Sequence, residues 1–408
     1  MDTNGTAKIN IYGAFDRYNY GDLLFPIIIQ KALNERLPGL TYSYYGLIDS
    51  DLSKFGGVQT QAIRCLIRDS TSNGQKSVII VAGGEVLSTS MFFLNQCLMD
   101  NVLLRKLFEK LRVLFGAKFA EFLCQKKLAP KLDFPFILDK NLFKENTCIM
   151  YNTVGGKLPD RKKELSHQYL RQTDFISVRD QKTLDEIKET VPEITPSLFP
   201  DSATIMSKYF SKTKLYDMVN TETKRILNSL RKGYICFQIS SYSYGLAPET
   251  IKNQLHQLSK MTDLPILLLP LGWAPWHSDQ YALNSIKKDA NFHCIIAEKP
   301  GIFDIMSLIA NSNLFIGTSL HGLITSMSFS IPYLSIGPHV HKLKRYLQTW
   351  SNSKFNKPFD FNDIAENGNK ALSVDKQFLD DERIFLIRKT EDNFKLLAKT
   401  INNFIYMT

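Results

Sequence analysis

The segment Gly317-Thr318-Ser319-Leu320-His321-Gly322 is the strongest local signal of chemistry in the sequence. It separates an apolar run at residues 313–317 from a helical pattern beginning near His321. Backbone N–H groups and two neighbouring hydroxyls at such a junction suit a phosphate. The imidazole can donate a proton or a hydrogen bond near neutral pH. Most isolated histidines are structural, but a glycine-flanked strand-to-helix turn is an unusual place for one.

Three further segments have the same setting. In α/β sheets ligands bind beyond the carboxyl ends of strands. Asn19, Gly21 and Asp22 follow a first strand at 8–13, where Gly21 permits close backbone approach and a helix N-terminus favours an anion. The plain alternative makes Asp22 an N-cap and Gly21 a turn. Gly83, Gly84 and Glu85 end an apolar run at 77–82, and Glu85 can accept hydrogen bonds from sugar hydroxyls; an unliganded turn explains them equally well. This is no GxGxxG, so it does not point to a dinucleotide. Arg179 ends another strand, where its planar fork can clamp a carboxylate or phosphate, or simply pair with Asp180 or Asp201. Asp180 is placed to cap the helix that follows. Lys342, with His339, His341, Lys344 and Arg345, adds positive charge after the next strand, although a solvated basic loop accounts for most of these. Trp273, Trp276 and His277 offer aromatic faces for a sugar, or for packing.

The elements that must hold these groups alternate between apolar strands and helical patterns, the mark of an α/β protein with mostly parallel sheets. Strands are expected at 8–13, 77–82, 147–153 and 174–178, with a helix over 23–36 capped by Asp22 and carrying Pro26 in its first turn. A second series has strands at 233–239, 264–270, 293–297, 313–317 and 333–336, with helices at 249–261 and 303–310. The expected organisation is a first domain over 1–206, a polar linker over 207–231 and a second domain over 232–345. A helical segment over 346–408, with a long pattern at 380–406, can cross back to the first domain.

The chain has 408 residues, 44% hydrophobic and 22% charged, enough for two ordinary globular domains. Its net charge of +10 favours acidic partners. Nucleic acid is the weakest of these, because no helix-turn-helix, RRM, KH or zinc-finger signature is present. The six cysteines fit no zinc pattern and read as buried apolar residues of a reducing compartment. Without a membrane span or a signal-peptide pattern in Met1–Thr6, a cytoplasmic protein is expected.

One stretch breaks the alternation. Residues 91–146 form an insertion in the first domain, with Leu104, Leu107, Phe108, Leu111, Phe115, Phe119, Phe122 and Leu123 at helical spacing. Over 104–127 seven basic residues face two acidic ones, a net +5. A basic amphipathic helix can lie on an anionic membrane; packing on its own domain is the competing expectation.

Taken in order, YNYGD, VIIVAGGEVL, YNTVGG, ISVRD, FPDSA and GTSLHGLITSMSFSIPYLSI resemble the polysaccharide pyruvyl transferase family from about Gly13 to Lys342. The resemblance implies two Rossmann-like domains facing across a cleft, as in GT-B glycosyltransferases. It implies transfer of pyruvate from phosphoenolpyruvate to two sugar hydroxyls, giving a cyclic ketal and phosphate. The acceptor is then a cell-surface glycan or a lipid-linked oligosaccharide met at the inner face of the plasma membrane. On this scheme His321 is the acid or a phosphate contact. Arg179 is the anion clamp, helped by Thr318, Ser319 and Lys342. Asp22 and Glu85 accept from sugar hydroxyls, and no metal or nucleotide cofactor is needed. Two departures remove positive charge: Ser319 and Gln238-Ile239-Ser240 stand where many members carry arginines. A GT-B-like glycosyltransferase using a nucleotide sugar, or a non-catalytic glycan-binding protein of polysaccharide assembly, are the alternatives.

Overall fold

The computed structural model describes residues 8–69, 76–275, 278–351 and 355–406. The N-terminal Met1–Thr6, and Trp276 and His277, lie outside the described residues.

Two sheets build the molecule. The first contains β1 (Lys8–Tyr12), β2 (Thr41–Gly46), β3 (Ser50–Asp51), β4 (Gln59–Ala62), β5 (Ser77–Val81), β6 (Thr147–Val154), β7 (Phe175–Val178) and β8 (Ser197–Leu198), in the order β3-β4-β2-β1-β5-β6-β7-β8. All its pairings are parallel except the antiparallel β3–β4. The second contains β9 (Ile235–Gln238), β10 (Ile266–Leu268), β11 (Cys294–Ile296), β12 (Leu314–Gly317) and β13 (Tyr333–Ser335), all parallel, in the order β11-β10-β9-β12-β13. Each sheet is doubly wound: the chain leaves β1 toward β2 and returns as β5 on the other side, and leaves β9 toward β10 and returns as β12. Strand order therefore reverses beside β1 and β9, and a crevice opens beyond the carboxyl ends of such strands. The segments after β1, β5, β9 and β12 line it.

Strand alternation divides the core. Ile9, Ile11, Val78 and Ile80 join a cluster that continues through the second sheet, including Ile235, Phe237 and Ile316. Tyr12, Ile79, Val81 and Tyr151 face a second cluster that takes in Ala120, Cys124 and Leu128 of the insertion. One apolar core thus ties the two sheets together.

Several boundaries differ from expectation. The first helix runs over Tyr20–Asn34, so Asp22 lies in its first turn and Asn19 occupies the cap position. The earlier start has a tertiary cause: Tyr20 N–H donates to the Leu271 carbonyl (2.9 Å), and Asn19 bridges Gly272. Pro26 falls beyond the first turn. Residues 206–229 carry helices Met206–Tyr209, Lys212–Met218 and Thr221–Ser229, with Leu215 and Ile226 buried. The last helix, Lys376–Tyr406, packs on β6, where the Asn393 side-chain amide donates to Asn152 Oδ1 (2.7 Å). The insertion is two main helices rather than one, Val102–Phe115 and Ala117–Leu128, broken at Gly116 with φ +87°. Five of the six cysteines are buried, and Cys65 is partly so. No helix among the described residues is long and apolar enough to cross a membrane.

Candidate active site

The loop after β1 is stitched to the opposite sheet. Tyr18 stacks on Trp273 with ring centroids 3.9 Å apart, so packing covers a face of that tryptophan. These contacts bring the start of helix Tyr20–Asn34 against the start of helix Leu320–Ser328. There Gly21 meets His321, and a Cβ at position 21 would lie 1.8 Å from His321 Nδ1. Phe25 meets the same imidazole edge-on, with centroids 5.3 Å apart. One turn on, Tyr20 and Thr325 share a hydrogen bond of 2.8 Å between hydroxyls.

A chain of alternating charges crosses the crevice floor. His321 Nε2 is 3.5 Å from Asp201 Oδ2, an ion-pair distance. The alignment makes no hydrogen bond, and Nε2 is buried without a hydrogen-bond partner. The same Asp201 oxygen accepts from Arg179 Nη1 (3.0 Å), and Arg179 Nη2 donates to Glu85 Oε2 (2.9 Å). Arg345 closes the chain on Glu85 Oε1. Asp201 is fully buried, and its Oδ1 accepts from Ala203 N–H (3.0 Å).

Burial pushes the Asp201 carboxyl up, but His321 and Arg179 outweigh it and hold the group below its usual range. Glu85 behaves alike, with Arg179, Arg345 and Lys342 overcoming desolvation. Arg179 is 2% exposed; desolvation acts to lower its pKa, and Asp201, Glu85 and Asp180 override it and raise it. Its fork is therefore filled by two protein carboxylates, and Gly155 packs against its Nε side. Asp180 caps helix Gln181–Thr190 through Thr183 N–H.

Lys342 differs from these. It is exposed, and it makes no ion pair or hydrogen bond among the described residues. Desolvation lowers its pKa, with Arg179 acting in the same sense and Glu85, Asp22 and Asp279 opposing. Those neighbours belong to both sheets, so its charge acts on groups from each. Asp279, missed by the sequence analysis, is buried beside it. Its Oδ2 accepts from Leu271 N–H (2.9 Å) and Gln238 Nε2 (3.0 Å). Burial, only partly offset by those bonds and by Lys342, pushes its carboxyl up to about 7.

The remaining expected residues have local partners. Ser319 caps helix Leu320–Ser328, its hydroxyl accepting from Gly322 N–H (3.3 Å). Thr318 donates to Gln238 Oε1 through its N–H (3.1 Å), and its hydroxyl accepts from Ser240 N–H (3.1 Å). Gln238 thus ties the β12 turn to Asp279. The spaces beside Gly322 and Gly317 are taken by the Phe315 ring and by Gln238, and that beside Gly83 by Phe25. Gly84 has φ +103° and faces Asp22, whose carboxylate also accepts from Asn19 Nδ2 (2.8 Å). His339 bonds Ser243 (2.9 Å). Sequence reasoning had Asp201 only as an alternative partner for Arg179. Nothing in the pattern announced Asp279 beyond its place in the tryptophan-rich loop after β10. No group of three or more His, Cys, Asp or Glu suited to a metal occurs among the described residues. A cavity of about 700 Å³ lined by Ser211, Lys212, Lys376 and Arg383 holds none of the strand-end residues described above.

The family model described as polysaccharide pyruvyl transferase matches residues 19–339. No curated protein matches the chain. Among solved structures, UDP-GlcNAc 2-epimerase from Neisseria meningitidis bound to UDP-GlcNAc is similar with a TM-score of 0.54 at 10% identity, covering 97% of this chain and 99% of that one. The S. aureus MnaA-UDP co-structure gives 0.55 at 11%, covering 99% and 98%. The Methanocaldococcus jannaschii UDP-GlcNAc 2-epimerase in complex with UDP-GlcNAc and UDP gives 0.54 at 11%, covering 96% and 99%. These likenesses establish the fold, two parallel α/β units of the GT-B kind.

Proposed function

Since the chain belongs to the polysaccharide pyruvyl transferase family, we propose that it transfers pyruvate from phosphoenolpyruvate to two hydroxyls of a sugar, forming a ketal. The observation that carries the reading is the crevice itself. An unpaired lysine, Lys342, feels the carboxylates of Glu85, Asp22 and Asp279, and Glu85 is linked through Arg179 to the histidine–carboxylate pair His321–Asp201.

The reaction needs a proton delivered to the methylene carbon of the enol phosphate, and cationic character at the adjacent carbon as a hydroxyl oxygen bonds there. His321 serves as the acid, with Asp201 orienting its ring. Asp22 takes the proton of the incoming hydroxyl. The carbon–oxygen bond to phosphate then breaks, and the second hydroxyl closes the ketal. Of the two hydroxyl protons, one ends on the new methyl group and the other on phosphate. Lys342 and the free N–H groups opening helix Leu320–Ser328 hold the donor anion. Arg179 is a positioning residue, because its fork already holds Asp201 and Glu85. Thr318 and Ser319 shape the turn. The proposed acceptor is a glycan of the cell surface or its lipid-linked precursor, met at the cytoplasmic face of the membrane.

The test is incubation with phosphoenolpyruvate and a lipid-linked or soluble glycan acceptor, following phosphate release and the mass of the product. Acid-labile pyruvylated glycan formed with stoichiometric phosphate is the expected result. Nucleoside diphosphate release from a nucleotide sugar, with no reaction of phosphoenolpyruvate, would replace this reading with glycosyl transfer.

A further inference from the structure

The helix Val102–Phe115 buries none of its residues. Leu103 is 76% exposed, Val113 82%, Leu114 74% and Phe115 61%, and across the Gly116 break Phe119 and Phe122 are also exposed. A monomer rarely leaves so much contiguous apolar surface in water without a use for it. The expectation that Phe115, Phe119 and Phe122 pack into the domain core is therefore not met. Only the opposite side of helix Ala117–Leu128 is anchored, through Ala120, Cys124 and Leu128.

The anchoring is firm. Glu121 accepts from the N–H groups of Met91 and Phe92 (2.8 and 2.9 Å), locking the hairpin onto helix Met91–Cys97. That helix begins just after the loop whose Thr89 hydroxyl donates to the Glu85 carbonyl (2.7 Å). The exposed apex is thus rigidly joined to the segment that supplies Glu85 to the crevice. Charge surrounds it: Arg105, Lys106, Lys110, Lys118, Lys126 and Lys127 are unpaired by carboxylates among the described residues. A cavity of about 330 Å³ at its base is lined by Arg112, Lys118, Arg161 and Lys162 together with Glu121 and Asp133.

We propose that this hairpin docks on an anionic lipid bilayer. The apex Val113–Phe115, with Phe119, enters the headgroup–acyl boundary, and the basic residues of its flanks meet lipid phosphates. The charge selects this occupant: a second copy of the chain would bring an equally basic hairpin against the first. Docking here would hold the Glu85 side of the crevice toward the membrane. Its purpose rests on the lipid-linked acceptor proposed above, but its test does not need turnover.

Full-length protein would be floated with vesicles of phosphatidylcholine, with and without phosphatidylglycerol, at low and high salt. Salt-sensitive flotation only with the anionic vesicles is expected. Replacing Arg105, Lys106, Lys110 and Arg112 by Gln should weaken it at least about ten-fold, and V113E/L114E should abolish it. Both variants should keep the wild-type melting temperature and full activity on a short soluble acceptor. Absence of flotation at low salt overturns the proposal. So does a lipid-free dimer, seen by light scattering, that V113E/L114E dissociates.

Discussion

Gly21 packs its α-carbon against the imidazole of His321, so that a single added methyl group would overlap Nδ1 at 1.8 Å. The two residues come from helices on different sheets, and the absence of a side chain at one sets the position of the other. Phe25 lies edge-on to the same ring at 5.3 Å, so retreat is obstructed. Gly21→Ala should therefore move His321 away from Asp201. Turnover is expected to fall by an order of magnitude or more, with a stability loss of about 1–3 kcal/mol from overpacking. Steady-state kinetics and a melting curve on the same sample check both; an alanine variant with normal kcat would show that this contact does not set the ring.

His321→Ala makes the complementary change. The side chain is small in the packing budget, and the helix keeps its Ser319 cap. The variant should fold and melt near the wild type while losing turnover by about 10²-fold or more, the usual worth of a general acid. An active variant would move the acid elsewhere in the crevice.

Arg179 is expected to matter first for stability. Removing it as Met leaves the buried Asp201 carboxylate without its arginine partner and leaves Glu85 to Arg345. Breaking a buried pair in this way costs about 3–5 kcal/mol. Arg179→Lys keeps the charge but cannot reach both carboxylates as a fork, so it should recover only part of the loss. Denaturant midpoints for the two variants, read beside the phosphoenolpyruvate KM, separate positioning from donor binding. A fully stable Met variant with a raised donor KM would return Arg179 to the role of a direct clamp.

The strands were legible in the sequence where burial on both faces makes them run apolar, as in Val78–Val81 of β5 and Cys148–Tyr151 of β6. β2 and β4, TYSYYG and QTQA, were not, because tyrosine, serine and glutamine hide a pleated half-buried face from any apolar count. The crevice residues were legible as a set, since doubly wound sheets collect function at strand ends. Their partners were not. That His321 sits over Asp201 and that the first helix starts at Tyr20 depend on contacts more than a hundred residues apart, and the burial of Asp279 beside Lys342 depends on segments dozens of residues apart. Gly116 was the one readable sign that the insertion is a hairpin.

Asp279 gives a pH dependence whose sign follows from burial. Its folded pKa of about 7 lies above the 3.8 of a free aspartate, so the folded state binds the proton more tightly. The stability this contributes is fully present below pH about 4 and is lost as pH rises to about 7, on the order of 4 kcal/mol for a shift of this size. His167 and His339, whose pKa values burial lowers, act in the opposite direction near neutrality. The useful comparison is therefore with Asp279→Asn, which mimics the protonated acid. The difference in unfolding free energy between variant and wild type should grow in favour of the variant from pH 4 to 7 and then level off. A difference that stays constant over that range would show that Asp279 titrates as an ordinary carboxylate.

Lys342 allows donor binding to be tested without disturbing the fold. It makes no hydrogen bond or ion pair among the described residues and is exposed, so Lys342→Met removes a charge without leaving a hydrogen-bond partner unmatched. Its melting temperature should stay near that of the wild type. On the proposed reaction that charge is what the donor anion needs, because Ser319 and Gln238-Ile239-Ser240, where the family resemblance leads one to expect arginines, carry none. Of these, Ser319 caps a helix and Gln238 is held by Thr318 and Asp279, so neither can supply a cation. The donor KM should rise at least about ten-fold, as for loss of a charged hydrogen bond of 1.5–3 kcal/mol, while the acceptor KM changes little. Lys342→Arg should restore part of the affinity, since charge rather than shape is at stake. If Lys342→Met instead raised the acceptor KM and left the donor KM unchanged, the anion would have to bind at Arg345 or the helix N-terminus, and Lys342 would belong to the sugar.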